Sequence, residues 1–384
     1  MTTAELIKEV QGHQALLLDN VRRAGEEDYG RQFHPDLSPL GWHLGHCVFT
    51  EIYWLRERLL NDNDQSDALK ALYVPELMPK QKRAAELPDF DTLIDWAQRI
   101  QDENRELLEE LLNSHGPDPL LEDGFVAHFL SQHYAQHYET TMYVHAQHRQ
   151  QLHCPAPAAH TQGAAPSTKA VTVPAGHYEI GTPDNARAYD NELPVFNVRL
   201  ETFHIAVKPV SNSEYLRFME DNGYNRDEFW SPEGRRWRRE HGIFGPEHWR
   251  RDEHGLFYMI DDKGSRPLPA DDPVFGISHF EACAFARWAG ARLPHEYEWE
   301  AAKKSGALDG DGRVWEWCAN AFHPYEGFNA FPYDGYSLPW FNDRHFSLRG
   351  GSDYTRACIR RPGFRNYYQA GKRHIRAGLR LVFP

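Results

Sequence analysis

A short segment near residue 160 divides the chain into two stretches of different character. Residues 151–168, QLHCPAPAAHTQGAAPST, are rich in Pro, Ala, Ser and Thr, which is the composition of a linker. At 384 residues the chain is also too long for one core of typical size. We therefore predict two domains, 1–150 and 169–384, joined by the linker 151–168.

The first domain has the pattern of a helical bundle. Apolar residues recur near helical spacing from Leu6 onward, again after Ser38, and in the long stretch that precedes the linker. The clearest helix is DFDTLIDWAQRIQDENRELLEELLNSHG, where one predicted apolar face holds Leu93, Trp96, Ile100, Leu107 and Leu111. Four such helices with loops between them predict an antiparallel bundle.

The second domain has a mixed pattern. The segments KAVTVPAGHYEIGT and PVFNVRLETFHIA predict short strands, and glycine, proline and tryptophan become frequent. Only two helices stand out, in SNSEYLRFMEDNG and SHFEACAFARWAG. The whole chain is therefore predicted to be an α+β protein with a helical N-terminal domain.

Composition and charge exclude several classes of protein. The net charge of −14 argues against a nucleic-acid partner, because phosphate binding needs a basic face. No apolar run is long enough to span a membrane, and the N-terminus has the pattern of an amphipathic helix and not of a signal peptide. The five cysteines are dispersed without a CxxC pair, so we predict reduced thiols and a cytoplasmic location.

Histidines in the first domain suggest a metal site. His133 and His137 are four residues apart and share a helix face, and an earlier helix offers His43 and His46. One of these two with the pair would give three nitrogens, which suit zinc, iron, nickel or copper. Glu139 would point about 160° away from His137 on a straight helix, so we do not predict it as a ligand. The alternative is ordinary hydrogen-bonded histidines, since the chain contains 22 of them.

Three segments of the second domain contain distinctive residues, namely Arg292-Leu293-Pro294 with Glu296 and Trp299, Val314-Trp315-Glu316-Trp317, and Arg349-Gly350-Gly351-Ser352. These segments resemble the hallmarks of the formylglycine-generating-enzyme-like domain, which has a C-type-lectin-related fold. The formylglycine-generating enzymes themselves have a cysteine pair near the C-terminus, where this chain has only Cys358, so their activity is not predicted here.

The pairing of this domain with a DinB-like bundle resembles the EgtB, OvoA and SenA group. These are nonheme iron enzymes that join sulfur or selenium to an imidazole ring. SPLGWHLGH and HYAQH resemble the two histidine motifs of the group, and members with Asp-Leu-Ala-His in the first motif keep its second histidine. The resemblance therefore implies His46, His133 and His137 as ligands of Fe²⁺. An octahedral ion would keep three positions for the donor, the imidazole and dioxygen.

The resemblance also implies residues that bind hercynine, the trimethylated histidine used by the group. Gln136 would hydrogen-bond the imidazole. Asn366 would contact the betaine end beside the aromatic Tyr367, because a trimethylammonium needs an aromatic face. Tyr336 would bind the carboxylate, and Tyr333 is the candidate that supplies a proton or hydrogen atom during oxygen activation. The alternative for the tyrosines is packing in an aromatic-rich loop.

The sulfur or selenium donor is left open by the sequence. Tyr368 stands at a substrate-binding position where members that use γ-glutamylcysteine have an aspartate. Lys80 and Arg83 match basic residues that bind the donor's carboxylates, although such a pair is often only solvated. Cysteine, γ-glutamylcysteine and the selenosugar of selenoneine synthases all stay candidates. Two rival functions are a non-catalytic ligand-binding module and a zinc-dependent thiol transferase.

Overall fold

The chain divides into two compact units, Met1–Gln151 and Leu152–Pro384. They are described from a computed structural model over residues 1–114, 116–152, 154–157, 159–183 and 186–384. Within these ranges, no helix is both long enough and apolar enough to cross a bilayer.

Over its described residues, the first unit is a bundle of four long helices with one short additional helix. Its α-helices are α1 Thr3–Asp28, α2 Leu40–Glu51, α3 Asp64–Tyr73, α4 Phe90–Ser114 and α5 Phe125–Gln151. A π-helix, Ile52–Arg58, directly extends α2, and 3₁₀ turns occupy Lys80–Glu86 and Glu122–Gly124. Helix α1 packs on α4 and α5, and α2 packs on the same two helices. The predicted helical bundle is confirmed, and the short α3 is the element that the sequence pattern did not indicate.

The buried face of α4 differs by one residue from the predicted face. Leu93 and Ile100 are buried as expected, but further along the helix Leu108 and Leu112 are the buried leucines. Trp96, Leu107 and Leu111 are only partly buried. Each of the two leucine positions has another leucine beside it, so apolar spacing alone could not choose between the neighbours.

A buried polar contact joins the four long helices. The carboxylate of Glu51, at the end of α2, accepts hydrogen bonds from Gln14 Nε2 of α1 at 2.5 Å and from Asn104 Nδ2 of α4 at 3.1 Å. Tyr134 of α5 also hydrogen-bonds Glu51. Burial raises the pKa of Glu51 to about 7, although these hydrogen bonds oppose the rise. The interior of the bundle therefore contains a carboxyl group that is easily protonated.

In the ranges that the structure describes, the second unit contains twelve short strands in four small sheets. In chain order they are β1 Ala170–Val173, β2 Gly176–Ile180, β3 Phe196–Leu200, β4 Phe203–Ala206, β5 Trp249–Arg251, β6 Phe257–Asp261, β7 Gly264–Pro267, β8 Trp315–Ala321, β9 His345–Arg349, β10 Asn366–Gln369, β11 Ala377–Gly378 and β12 Val382–Phe383. The sheet orders are β1-β4-β12, β10-β9-β8-β11, β2-β3 and β5-β6-β7. The strands predicted from the segments near residues 170 and 200 are confirmed as β1 to β4.

Among the described residues of this unit, four α-helices accompany the sheets: α6 Asn212–Glu220, α7 Pro232–Glu240, α8 His279–Trp288 and α9 Glu296–Lys304. The two predicted helices are α6 and α8. Helix α7 is not marked by an apolar face because it is short and rich in arginine; Ser231 caps its N-terminus and Pro232 opens it. The fold is therefore α+β, as predicted, with more helix in the second unit than its sequence pattern indicated.

The hallmark residues of the second unit form buried ion pairs. Arg365 donates to both oxygens of Glu296 at 2.8 Å, and Arg349 pairs with Glu300. Glu316 accepts from the indole of Trp299 at 2.7 Å and from Arg380. Because a buried charge is costly unless it is paired, these motif residues depend on one another for burial. They lie in the buried interior of the unit.

Candidate functional site

Three histidines of the first unit converge. His46 comes from α2, and His133 and His137 come from successive turns of α5. One ring nitrogen from each can be chosen so that all three lie within 4.8 Å of one another. The ring centroids are 4.5 to 5.1 Å apart. The structure therefore brings together the three side chains that the sequence predicted as metal ligands.

The short helix α3 orients His46. Its last carbonyls have no partner within the helix, and Tyr73 O accepts from His46 Nδ1 at 2.7 Å while Leu72 O accepts from the indole of Trp42 at 2.9 Å. Trp42 stacks on His46 with a centroid distance of 4.8 Å and an interplanar angle of 8°. Because Nδ1 must be the donor to a carbonyl, the lone pair of His46 stands on Nε2.

The close approach of α3 requires a glycine on α2. A Cβ at Gly45 would lie 2.2 Å from a ring carbon of Tyr73, so no other residue fits there without moving that tyrosine. This glycine belongs to the GWHLGH segment, directly before His46. The spacing of that segment thus provides both a candidate ligand and the space for the helix that orients it.

The two histidines of α5 have different surroundings. His137 Nδ1 lies 2.9 Å from Nδ1 of His43, a buried residue of α2. His133 lies parallel to the ring of Phe129 at 6.3 Å. Its Nδ1 is buried and has no hydrogen-bond partner among the residues that the structure describes. A ring with such a nitrogen is suited to an external ligand such as a metal ion.

All of these imidazoles are kept neutral. Burial is the main cause that lowers the pKa of His46, to about 4, and it lowers the pKa values of His133, His137 and His43 well below 6.5. The positive charge of Arg83 lowers the pKa of His46 further, whereas the carbonyl of Tyr73 opposes the change. Neutral rings offer lone pairs at pH 7, so the cluster fits a metal ion that accepts nitrogen ligands.

Glu139 is separate from this cluster. Its carboxylate is buried and accepts a hydrogen bond from the hydroxyl of Tyr143 at 2.6 Å. Within the described ranges, the convergent group contains the three histidines and does not include Glu139. This arrangement agrees with the expectation that a residue two positions beyond His137 points elsewhere.

Arg83 contacts Trp42, the residue that stacks on His46. It is only 3% exposed, and its guanidinium stands 3.6 Å from the ring centroid of Trp42, which in turn stacks on His46. Burial lowers the pKa of Arg83 to about 10. Three of its N–H groups donate to other residues, namely to Ser38 Oγ, Met78 O and Pro75 O. Arg83 thus has a structural place in the bundle, and a role in binding a donor carboxylate stays a prediction.

The other two predicted residues of this unit are more accessible. Gln136 is partly buried and directly precedes His137 on α5. Lys80 is exposed and its ammonium donates to the carbonyl oxygen of Asp36. Their predicted contacts with the imidazole substrate and with the donor stay predictions.

The predicted tyrosines of the second unit gather in one region. Tyr333 is 43% exposed and Tyr336 is partly buried in the loop between β8 and β9. Tyr367 and Tyr368 are on β10, which pairs with β9. The hydroxyl of Tyr367 donates to the carbonyl of Tyr336 at 3.0 Å. Burial is the main cause that raises the pKa of Tyr367, and the other three tyrosines raise it further. Asn366 begins the same strand and accepts from the backbone N–H of Tyr367 at 2.9 Å.

A turn that the sequence analysis missed holds this loop. Tyr189 stacks on Tyr336 with a centroid distance of 4.3 Å and an interplanar angle of 14°. The next residue, Asp190, accepts from the hydroxyl of Ser337 and from the backbone N–H of Phe331. Burial raises the pKa of Asp190 to about 6. These partners are far apart in sequence, so no local pattern could have indicated them.

Comparisons with known proteins agree with this two-part architecture. The model of the sulfatase-modifying factor enzyme 1-like domain matches residues 155–311 and 304–383, and that of the DinB superfamily matches residues 9–141. The hercynine oxygenases of Mycolicibacterium smegmatis and Mycolicibacterium thermoresistibile are each 30% identical to the chain, and each match covers 92% of it. The match covers 92% of the M. smegmatis enzyme and 89% of the M. thermoresistibile enzyme.

A formylglycine-generating enzyme of Streptomyces coelicolor is 32% identical, but the similarity covers only 38% of this chain and 49% of that enzyme. The similarity therefore covers less than half of either chain. The hercynine oxygenases, by contrast, match across both units. With its DinB-like bundle and its sulfatase-modifying-factor-like domain, the chain belongs to the family of the hercynine oxygenases.

Proposed function

We propose that this protein is a cytoplasmic, oxygen-dependent nonheme iron(II) enzyme that bonds sulfur or selenium to the imidazole C2 of hercynine. Such a reaction belongs to the biosynthesis of ergothioneine or selenoneine. The observation that carries the proposal is the convergence of three neutral histidines in a chain whose full-length relatives are named hercynine oxygenases. Hercynine is then the substrate that this similarity suggests for the cluster.

Iron(II) suits the cluster because His46, His133 and His137 would bind it through neutral nitrogens and leave its charge uncompensated. When bound, the ion would supply the electrons that activate dioxygen once an electron-rich sulfur or selenium ligand is present. The contribution of the polypeptide is to fix the rings. The Tyr73 carbonyl and the stacked Trp42 do this for His46.

The second task of the polypeptide is to bind hercynine in one orientation. Gln136 would hydrogen-bond the imidazole, since it directly precedes His137 on α5. Tyr336 would bind the carboxylate, and Asn366 with Tyr367 would contact the trimethylammonium group, which prefers an aromatic face over a salt bridge. Tyr333 would supply a proton or a hydrogen atom. Its 43% exposure leaves the phenol accessible to a bound substrate.

The donor is cysteine, γ-glutamylcysteine or a selenosugar. Members that use γ-glutamylcysteine have a negatively charged aspartate at the position of Tyr368. The ring of Tyr368 is uncharged and lies edge-on to His374 at a centroid distance of 5.9 Å. Without that charge, the amino group of γ-glutamylcysteine loses an ion-pair partner. This substitution favours cysteine or the selenosugar, and it is the observation that supports selenoneine synthesis as the second candidate function.

The proposal is tested by incubating the iron(II)-loaded protein in air with hercynine and an equal mixture of the three donors. Mass spectrometry of the products should show one adduct, whose mass identifies its donor and whether it is a sulfoxide. The same mixture without oxygen should leave hercynine unchanged, whereas a zinc-dependent thiol transferase would still react. Unreacted hercynine in the aerobic mixture would contradict the proposal and favour a binding module.

A further inference from the structure

The first histidine of GWHLGH, which lies outside the metal cluster, has a specific neighbour. His43 is 5% exposed, and its Nδ1 lies 2.9 Å from Nδ1 of His137. We propose that His43 is a positioning residue that holds the ligand His137 through a neutral, outer-sphere hydrogen bond. This inference rests on the metal site of the proposed function, and it does not depend on which substrate that site takes.

The direction of this hydrogen bond follows from the chemistry of the two rings. A contact between two ring nitrogens needs one proton between them, so one ring donates and the other accepts. If His137 donates from Nδ1, its Nε2 keeps a lone pair for a metal. If His43 donated instead, the neutral His137 would carry its proton on Nε2 and could not bind a metal there. Metal binding therefore selects His43 as the acceptor.

The acceptor role fixes the proton of His43 as well. A neutral His43 that accepts at Nδ1 carries its hydrogen on Nε2. That nitrogen is buried and has no hydrogen-bond partner within the described part of the chain. The bundle thus leaves a buried N–H of His43 unpaired while its other nitrogen faces His137. An unpaired buried donor is costly, which indicates that the contact with His137 is maintained for a function.

Two of the three candidate ligands are consequently held by different kinds of acceptor. His46 donates to a backbone carbonyl, Tyr73 O, and His137 donates to an imidazole, His43 Nδ1. A carboxylate in place of His43 would add negative charge to His137 and make it a stronger ligand. A neutral partner fixes the orientation of the ring without adding that charge. With a neutral partner, a bound metal ion would keep more of its positive charge than with a carboxylate partner. Such an ion favours an anionic sulfur or selenium ligand.

Three variants of one position test this role. In His43→Asn, the side-chain oxygen takes the place of Nδ1 and preserves the acceptor. In His43→Asp, the acceptor becomes negatively charged. In His43→Leu, the acceptor is lost while the volume is kept. His128→Asn, which replaces another buried histidine outside the cluster, controls for general destabilisation.

The measurements are the Kd for iron(II) under anaerobic conditions and the midpoint potential of the bound iron, without hercynine. We expect His43→Leu to weaken iron(II) binding by about 10- to 100-fold. His43→Asn should stay within about threefold of the wild type. His43→Asp should bind more tightly and have a more negative potential, because the charged acceptor stabilises the higher oxidation state.

Wild-type affinity and potential in His43→Leu would overturn the inference. So would an equal weakening in all three variants with an unchanged potential, which is the result expected of a residue that only fills space. If His43→Leu does not fold, the comparison of His43→Asp with His43→Asn decides, since equal potentials would also overturn the inference. Failure of the proposed function would be a separate result, in which iron binds as described but hercynine is not converted.

Discussion

The histidine cluster and the tyrosine region are built in opposite ways. The three histidines stand on two regular helices, and the groups that hold His46 and His137 come from helices of the same bundle. The tyrosines Tyr333 and Tyr336 stand on irregular chain that is held by a distant turn, Tyr189–Glu192. Side chains that must converge on one ion need fixed positions, whereas residues that select a substrate can stand on loops that vary.

This contrast predicts two kinds of defect. Changes in the bundle should alter metal affinity or stability, and changes around the tyrosine loop should alter the KM for hercynine while metal binding stays intact. Substitutions at five positions test this separation, from the largest expected effect at the candidate ligands to the smallest at the loop.

Replacing a candidate ligand should give the largest effect. His133→Ala or His137→Ala removes one of three convergent nitrogens. Since the loss of an outer-sphere partner alone can weaken metal binding by about 100-fold, the affinity for iron(II) should fall by more than about 100-fold. Metal analysis after anaerobic gel filtration should show almost no iron, and conversion of hercynine should cease. His177→Ala, an exposed histidine of the second unit, should bind iron normally. Full iron content in His133→Ala would contradict the assignment.

Replacing Glu51 should change how stability depends on pH. The pKa of this carboxyl rises from 4.5 in the unfolded chain to about 7 in the bundle, so the folded protein binds the proton more tightly. The wild type therefore loses stability as the pH rises from 4.5 to 7, and Glu51→Gln does not. Relative to the wild type, the variant should gain up to about 3 kcal/mol between these pH values. The check is urea denaturation of the metal-free proteins across that range.

A constant difference between Glu51→Gln and the wild type at all pH values would contradict this account. It would mean that the buried carboxyl keeps its ordinary pKa, so that folding is not linked to its protonation. The comparison within one pair of proteins cancels the titration of the histidines, which both proteins share.

The substitution Gly45→Ala should destabilise the bundle by about 1–3 kcal/mol, because its new methyl group forces Tyr73 to move away from α2. The Tyr73 carbonyl would then lose its hydrogen bond with His46, so iron(II) affinity should fall as well. Gly12→Ala in α1 is the matched control, since its new Cβ meets no atom within 4 Å. It should raise the free energy of unfolding by about 0.5–1 kcal/mol. Equal stability of both variants would contradict the packing described for α3.

The smallest effect is expected at the loop. Ser337→Ala removes the hydroxyl that donates to Asp190 and leaves that buried carboxylate with one fewer partner. The KM for hercynine should rise by up to about tenfold, the equivalent of one hydrogen bond, with unchanged iron(II) affinity. Ser305→Ala, whose hydroxyl donates only locally to Ala302 O, should not change KM. Reduced iron binding in Ser337→Ala would show that the two regions are not separable.

The sequence predicted the regular parts of the protein well. Helical spacing of apolar residues indicated the bundle, and a spacing of four residues placed His133 and His137 on one face of a helix. The short helix α3 was missed because its ten residues include only three large apolar side chains, Leu69, Leu72 and Tyr73, although its last carbonyls orient Trp42 and His46. Periodicity also could not separate Leu107 from Leu108, since both are apolar.

Contacts between distant parts of the chain could not be predicted in this way. The stacking of Tyr189 on Tyr336 and the bond from Ser337 to Asp190 depend on how irregular segments meet, which no local pattern encodes. The burial of Arg83 was missed for the same reason, because a basic residue in a polar segment normally suggests a solvated side chain. The resemblance to a family indicated candidate residues, and the structure gives the contacts of several of them, among them His46 and Arg83.

The most direct test of the central claim uses hercynine that carries deuterium at the imidazole C2. The iron(II)-loaded wild type, incubated in air with the three donors, should give an adduct that lacks the deuterium, because the new bond replaces the bond from C2 to hydrogen. His133→Ala should leave the labelled substrate intact. An adduct that retains the deuterium, or labelled hercynine recovered unchanged from the fully iron-loaded wild type, would contradict the claim.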